Sequence, residues 1–386
     1  MTMPDPAPVA MPVRPPRDLR LDIVRGWMQV SIFVSHVVGT AFAWTIHSAW
    51  GLSDSSEQFV LLSGLTLGSV FTLKAARGGF AAACADMARR TLRLYGTHLT
   101  VFFAFAALVL AAEMWVPLPG EVERLGWGWL AERPWFAVPA ALLMVYQPAF
   151  MGILPVFVWS MLLLPPFLWL AGRVGAWALV PSAAAWAAVQ LGVLATPAAG
   201  GTEIAFEPFA WQVLFVAGAF VGRRALLGGE GVPGRRWLVA GAALVVLAGL
   251  AARLVEHGLV PGPVASAAAA SFGKDVLAPA RLLHALALAY LVAALVPREA
   301  GWMRVWPVPV LAAIGRHSLK VFCAGLFLAW GASTALARWP ADAAWLDPLL
   351  VGGGAAVLAL LALALDGRRK PAPPPLQRVG RGGVVE

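Results

Sequence analysis

The sequence predicts an all-α, polytopic membrane protein with about ten transmembrane helices and both termini in the cytoplasm. Three observations lead to this prediction. Hydrophobic residues make up 60% of the chain and charged residues only 13%, and the mean hydropathy is +0.76. Apolar windows of about 20 residues, the length that spans a bilayer, recur along most of the chain. Basic residues alternate with these windows in a pattern typical of membrane topology.

The composition excludes a soluble domain. Soluble domains are about half apolar and about a quarter charged. A globule of 386 residues would still need a wettable surface, and a lipid environment removes that need. The two cysteines, Cys84 and Cys323, lie far apart. No Cys/His cluster or CxxC motif is present, so we predict no metal site.

Ten windows are predicted to span the membrane. They cover residues 21–45, 55–74, 92–114, 145–171, 175–195, 209–227, 236–254, 279–297, 314–337 and 346–366. The 18 tryptophans suit a protein with two membrane–water interfaces.

These spans form one predicted transmembrane domain, residues 21–366. The flanking tails, 1–20 and 367–386, are rich in proline and predicted to be disordered and cytoplasmic. The first tail lacks the apolar stretch of a cleaved secretory signal.

The distribution of basic residues predicts the orientation. Twenty of the 29 Lys and Arg residues fall on tails and loops predicted to be inside, and five fall on outside loops. This asymmetry follows the positive-inside rule. The net charge of +9 is therefore a topology signal, and no nucleic-acid partner is expected.

The first span carries polar residues on one helical face: Asp22, Arg25, Gln29 and His36. Arg25 and His36 are eleven residues apart, so they share a face and lie about 16 Å apart along the axis. Asp22 and Arg25 are close enough to pair. Charged groups inside a membrane are costly and usually functional. The alternative is a polar stripe that holds helices together.

The second span begins with two carboxylates, Asp54 and Glu57, with Ser53 as the expected N-cap. The connection between the two spans is short, so we expect Glu57 to approach His36 and orient it as a general base. His47, in that connection, is a second candidate base. The alternative for Asp54 is a favourable interaction with the helix dipole.

Two later pairs are candidate binding residues. Arg281 and His284 lie one turn apart in the eighth span, and Arg316 and Lys320 lie one turn apart near the cytoplasmic face. Two cations at this interface would suit phosphate groups. The alternative is that they extend to lipid head groups. The Gly64–Gly68 spacing is common in helix packing and indicates no specific chemistry.

Several blocks resemble the OpgC family of membrane enzymes, which succinylate osmoregulated periplasmic glucans. They are RDLRLDIVRG, GLSDSSEQFVLLSG, YQPAFMGILPVF, FEPFAWQVLFVAGAFVG, APARLLHALALAYL and GRHSLKVFCAGLFL. The resemblance covers roughly residues 17–340. The spacing from Arg25 to His36 is also similar to that in the wider acyltransferase-3 group. The segment around His47 is similar to relatives of the lysosomal heparan acetyltransferase.

The resemblance implies an enzyme that moves an acyl group, with succinyl expected, from cytoplasmic acyl-CoA to a glycan hydroxyl outside. It implies no bound cofactor, and membrane lipid, acyl-CoA and the glycan as partners. It also implies a multi-pass location in the bacterial inner membrane. Two positions depart from the family pattern: Gly152 stands where an acidic residue is expected, and Phe157 where a tyrosine is expected.

We therefore expect His36 to be the general base, Glu57 to orient it and Asp54 to help bind the acceptor. Arg25 is expected to bind CoA phosphates or a succinyl carboxylate. Asp22, Arg281, His284, Arg316 and Lys320 complete the expected binding set. The alternatives are a secondary transporter of organic anions or sugars with a buried Arg/His/Glu relay, and a membrane scaffold without chemistry.

Overall fold

The computed structural model describes residues 17–115, 120–228, 233–261, 273–339 and 345–368. Most of the two predicted tails, 1–16 and 369–386, lies outside the described residues, so their disorder stays a prediction.

Every regular element in the described part of the chain is helical, as the sequence predicts. We number the helices α1 (Leu19–His36), α2 (Ser55–Trp115), α3 (Glu121–Arg124), α4 (Gly128–Glu132), α5 (Pro134–Leu142), α6 (Ile153–Val174), α7 (Leu179–Gln190), α8 (Pro208–Gly228), α9 (Arg236–Glu256), α10 (Pro279–Leu295), α11 (Val308–Arg316), α12 (Ser318–Arg338) and α13 (Leu346–Gly367). Short 3₁₀ turns cover Ala41–Thr45, His47–Ala49, Gly175–Ala178 and Gly301–Arg304.

Six helical stretches of the described chain are long and apolar enough to cross a membrane. They are Ser55–Trp115, Ile153–Gln190, Pro208–Gly228, Arg236–Glu256, Ser318–Arg338 and Leu346–Gly367. The first two are 61 and 38 residues long, and each overlaps two predicted spans. The chain is thus an all-helical, multi-pass membrane protein, and the number ten stays a prediction.

Three predicted span boundaries are wrong, because the helices begin, end or are interrupted at residues where the apolar windows are not. α1 ends at His36 rather than at 45, since Gly39 has a φ of 88° and Thr40 caps the next turn. The helix predicted at 145 begins at Ile153. The helix predicted at 314 is interrupted between Arg316 and Ser318.

The long helix α2 folds back on itself at Gly79, where φ is 82° and ψ is 162°. A positive φ is accessible to glycine because it has no Cβ. The rings of Phe71 and Phe80 lie 5.4 Å apart across this break, and Lys74 pairs with Asp86. The chain therefore turns sharply at Gly79, and the two halves of α2 are separate helical segments.

Glycines let the helices of the bundle approach closely. An added Cβ would lie 2.0 Å from Phe215 O at Gly64 and 2.4 Å from Ala219 O at Gly68, so α2 and α8 pack backbone to backbone there. At Gly26, in α1, it would lie 1.8 Å from Leu311 O, so α1 packs on α11 in the same way. The Gly64–Gly68 spacing thus marks a helix contact of the small-residue kind.

The two ends of the bundle can be assigned from contacts. At one end, a Cβ at Gly315 would meet Asp22 O at 1.9 Å, and Arg316 pairs with Asp366. We call it the Arg316 end, and the charge pattern predicts that it faces the cytoplasm. At the opposite end, the His36 end, Ser333 Oγ donates a hydrogen bond to His36 O at 3.1 Å.

Reporter fusions test the predicted orientation. Fusions after Gly78 and at the C-terminus should report the cytoplasm, because these positions follow helices that run toward the Arg316 end. Fusions near Gly126 or Gly200 should report the outside. An external C-terminus would contradict the topology.

Candidate active site

A cavity of about 520 Å³ lies between α1, α2, α6 and the start of α12. Arg25 and His36 both line it, on the shared face of α1 that the sequence indicated. They lie about 16 Å apart along the helix axis. Residues 147–150, which belong to the irregular segment between α5 and α6, form part of the wall. Irregular backbone within a membrane bundle is tolerated where it lines a cavity.

His36 has a hydrogen bond that sets its tautomer. Its Nδ1 lies 2.7 Å from Ile32 O, one turn back in α1. A carbonyl oxygen can only accept, so we infer that Nδ1 carries the proton and donates it. In the neutral ring, Nε2 then keeps a lone pair that can accept a proton from a hydroxyl.

Phe150 packs against the imidazole ring of His36. Its ring centroid lies 5.4 Å from that of His36 and 5.4 Å from that of Phe105. The backbone of Phe150 has a φ of 72°, which is uncommon for a residue other than glycine. Such conformations cost about 1–3 kcal/mol and persist where the surroundings hold them. The sequence does not indicate Phe150, because an apolar residue on an irregular segment belongs to no helical or strand periodicity.

The expected pairing of Glu57 with His36 is wrong. Glu57 Oε2 accepts a hydrogen bond from Asp54 N at 2.9 Å, and Oε1 accepts one from Arg281 Nε at 2.7 Å. Asp54 in turn accepts a bond from Ser56 N at 2.7 Å. This reciprocal arrangement is a capping box, so Asp54 rather than Ser53 caps α2. A fully buried carboxylate needs a cation, and Arg281 supplies it.

Asp54 also links this cluster to the cavity. Lys274 Nζ lies 2.6 Å from Asp54 Oδ2 and 5.3 Å from the centroid of the Phe206 ring, and Phe206 lines the cavity. Asp54, Glu57 and Arg281 themselves lie behind the lining, although Ser56 is part of it. In the sequence, Lys274 is one of the five basic residues on loops predicted to be outside.

Arg25 has neutral partners. Its Nη2 donates hydrogen bonds to Leu62 O at 2.8 Å and to Thr66 Oγ1 at 2.6 Å. The expected pairing with Asp22 is wrong, since Arg17 occupies that carboxylate at 2.6 and 2.9 Å. Among the described residues, no carboxylate forms an ion pair with Arg25. A guanidinium without a counter-ion that faces a cavity is suited to bind an anion.

Arg90 is a second guanidinium on the cavity wall that sequence reasoning missed. It lies in the second half of α2 and donates a hydrogen bond to Asp86 at 2.8 Å. In sequence nothing distinguishes it from Arg89 or Arg93. The fold-back at Gly79 is what carries Arg90 to the cavity.

His47 and His284 lie apart from the cavity lining. His284 Nδ1 accepts a hydrogen bond from Ser53 Oγ at 2.7 Å. Ser53 therefore binds His284 instead of capping α2. His47 belongs to a 3₁₀ turn outside the spanning helices, and burial lowers its pKa below the usual value. His47 is therefore neutral at pH 7, but it does not face the same space as Arg25 and His36.

Arg316, the first residue of the expected phosphate-binding pair, already has an anionic partner, and phosphate binding by Arg316 and Lys320 stays a prediction. Arg316 ends α11 and forms an ion pair with Asp366 of α13, and His317 Nε2 lies 3.3 Å from the same carboxylate. Lys320 is exposed on α12.

Both positions that depart from the family pattern line the cavity. At Gly152 an added Cβ would lie 2.8 Å from Ala205 Cβ and 3.1 Å from the Phe206 ring. Phe157 packs edge-on against Phe59, with centroids 5.4 Å apart. The expected carboxylate and hydroxyl are thus replaced by a close-packed, apolar wall.

The fold defines a multi-pass membrane protein, and its cavity places Arg25 and His36 in one largely apolar site. The model of the family described as OpgC protein matches residues 17–370. The chain therefore belongs to the OpgC family, and this membership identifies it as a membrane acyltransferase. No curated protein and no solved structure gives a significant match. Its placement in the wider acyltransferase-3 group stays a prediction.

The buried pair Glu57–Arg281 should be a stability element. Replacing either residue by alanine should destabilise the protein by about 3–5 kcal/mol, because the remaining charge is buried without its partner. Thermal unfolding in detergent measures the effect. Glu256→Ala, at a surface pair with Arg253, should change stability by less than about 1 kcal/mol.

The double variant Glu57→Ala/Arg281→Ala should lose less stability than the sum of the two single losses. Strictly additive losses would contradict the direct pairing.

Proposed function

We propose that the protein is an O-acyltransferase that moves a succinyl group from cytoplasmic succinyl-CoA to a hydroxyl of a periplasmic or surface glycan. One observation carries this proposal: a single cavity is lined by Arg25, which forms no ion pair among the described residues, and by His36, whose Nδ1 is bound to Ile32 O. Membership in the OpgC family supports it. The enzyme uses no bound cofactor, because acyl-CoA is a co-substrate.

Arg25 and Arg90 would bind the anionic donor. Both line the cavity, and a guanidinium forms two parallel hydrogen bonds with a carboxylate or phosphate. The donor would enter from the Arg316 end, which is predicted to face the cytoplasm. Its thioester would then lie between Arg25 and His36, surrounded by apolar side chains such as Phe59 and Phe322.

His36 would act as the general base. Nε2 takes the proton of the acceptor hydroxyl as its oxygen attacks the thioester carbonyl carbon. The tetrahedral intermediate collapses, the C–S bond breaks, and the leaving thiolate takes the proton from the imidazolium. One ester and one free CoA thiol form, so the ring returns to its starting state.

The remaining candidate residues would act by positioning. Asp54 and Glu57 cap the helix that carries Ser56 and Phe59 into the cavity wall. Arg281 fixes both carboxylates, and His284 holds Ser53 just before the cap. Asp22 and Arg316 belong to ion pairs at the Arg316 end. We assign none of these residues to direct contact with the reacting atoms.

The expected location is the inner membrane of a bacterium, where cytoplasmic acyl-CoA and an external glycan meet across one bilayer. Membrane lipid surrounds the bundle in this proposal. Membership in an acyltransferase family does not favour the transporter alternative.

Arg25→Gln should raise the KM for succinyl-CoA about 10- to 100-fold, because a hydrogen bond to a charged group contributes about 1.5–3 kcal/mol. Kinetics with purified protein in lipid nanodiscs measure this. If Arg25 binds the succinyl carboxylate, the KM for butyryl-CoA should stay unchanged. If it binds a CoA phosphate, both values should rise.

The matched control is Arg20→Gln, since Arg20 pairs with Asp18 outside the cavity lining. Wild-type KM values for both thioesters in Arg25→Gln would remove Arg25 from the donor site.

His36→Ala should lower the rate of glycan acylation about 10²–10⁴-fold, which is the usual loss when a positioned base is removed. Binding of acyl-CoA should stay near normal. Mass spectrometry of a gluco-oligosaccharide acceptor measures the product. His47→Ala, a control that also removes a half-buried imidazole, should retain at least partial activity. An inactive His47→Ala with an active His36→Ala would make His47 the base.

A further inference from the structure

The wall opposite α1 carries a polar atom without a partner. Gln147 lines the cavity and is 5% exposed, and its Oε1 is buried with no hydrogen-bond partner among the described residues. Buried polar atoms are nearly always satisfied. An orphan acceptor in a cavity wall therefore indicates a ligand or water that donates to it.

The orientation of this amide is fixed by its other contacts. Gln147 Nε2 donates a hydrogen bond to Met144 O at 2.9 Å, and Gln147 N donates one to Thr202 Oγ1 at 3.2 Å. Flipping the amide would place its oxygen against a carbonyl oxygen, and two acceptors repel each other. The cavity thus presents a neutral oxygen acceptor at this point.

Gly152 lies directly beside this oxygen. An added Cβ there would lie 3.2 Å from Gln147 Oε1 and 2.8 Å from Ala205 Cβ. A carboxylate side chain at position 152 would face another acceptor and would have no room. Gly152 and Gln147 therefore form one feature: the wall lacks a carboxylate here and offers an amide oxygen.

The position of Gln147 favours the acceptor substrate over the donor. Thr202, which holds the Gln147 backbone, belongs to the connection between α7 and α8. That connection also carries Phe206, which lies beside Lys274 and the Asp54 cap at the His36 end. Arg25 and Arg90, the anion-binding groups, belong to other elements. Phe150 and Phe206 line the same cavity as Gln147.

We propose that Gln147 Oε1 accepts a hydrogen bond from a hydroxyl of the acyl acceptor and so helps to determine acceptor specificity. This inference rests on the proposed function, because it concerns the acceptor site of that reaction. A hydroxyl supplies the donor that the oxygen lacks, and the neutral amide suits an uncharged sugar.

The test uses Gln147→Leu, which removes the acceptor atom at similar volume. Its affinity for a fluorescent gluco-oligosaccharide, and its kcat/KM for that acceptor, should each fall about 3- to 10-fold. The KM for succinyl-CoA and the melting temperature should stay unchanged. A merely structural role of Gln147 would instead lower the melting temperature. Gln190→Leu is the control, because Gln190 donates to Val276 O away from the cavity.

Gly152→Ala gives a second route that keeps Gln147. The added methyl group should obstruct the approach to Oε1 and weaken sugar binding, while donor KM stays unchanged. Its control is Gly172→Ala in the same helix, where a Cβ would meet only Arg223 Nη2, at 3.8 Å.

Unchanged sugar affinity in both Gln147→Leu and Gly152→Ala would overturn the inference, and the proposed function would stand if the wild type acylates the sugar. If the wild type binds the sugar but does not acylate it, and the variants bind it more weakly, the acceptor site is supported and the proposed function is overturned. A rise only in the KM for succinyl-CoA would assign the oxygen to the donor and overturn the inference. A wild type that does not bind the sugar would overturn both.

Discussion

A charged side chain within a membrane bundle must find an opposite charge or strong hydrogen-bond partners, and this requirement orders the polar residues of the protein. Arg281 is neutralised by Glu57 and Asp54, and Arg316 by Asp366. Among the described residues, Arg25 donates hydrogen bonds only to a carbonyl and a hydroxyl. The cost of leaving such a charge unpaired in the membrane is several kcal/mol. An anionic substrate in the cavity would offset that cost.

The cavity that Arg25 and His36 line exists because the chain departs from regular helices around it. The fold-back of α2 at Gly79 brings Arg90 to the cavity. The irregular segment before α6 supplies Gln147 and Phe150, and Phe150 supports the imidazole. An unbroken helix in its place would bury these side chains against neighbouring helices. The cavity is thus a consequence of where the chain stops being helical.

The sequence predicted the helical class, most spans and the shared face of Arg25 and His36, because apolar windows and helical periodicity are local properties. It did not predict partners. Asp22 was expected to pair with Arg25, but Arg17, which lies just before α1, reaches it first. Glu57 was expected beside His36, but the third residue of a helix turns back to its own cap.

Long-range contacts explain the residues that the sequence did not reveal. Three such residues have no distinctive sequence context. Arg90 is one of several arginines, Lys274 lies on a loop, and Gln147 is an isolated amide. Only tertiary packing brings them to the cavity or its border. Arg316 shows the converse, because Asp366 of α13 neutralises a charge that the sequence suggested for phosphate binding.

The most direct test of the account is a cryo-EM structure of the protein in lipid nanodiscs with a non-hydrolysable thioether analogue of succinyl-CoA. The account predicts ligand density inside the cavity, with an anionic group at Arg25 and the carbon that replaces the thioester carbonyl within reach of His36 Nε2. Density for the analogue at the His47–His284 region, with the cavity empty, would contradict it.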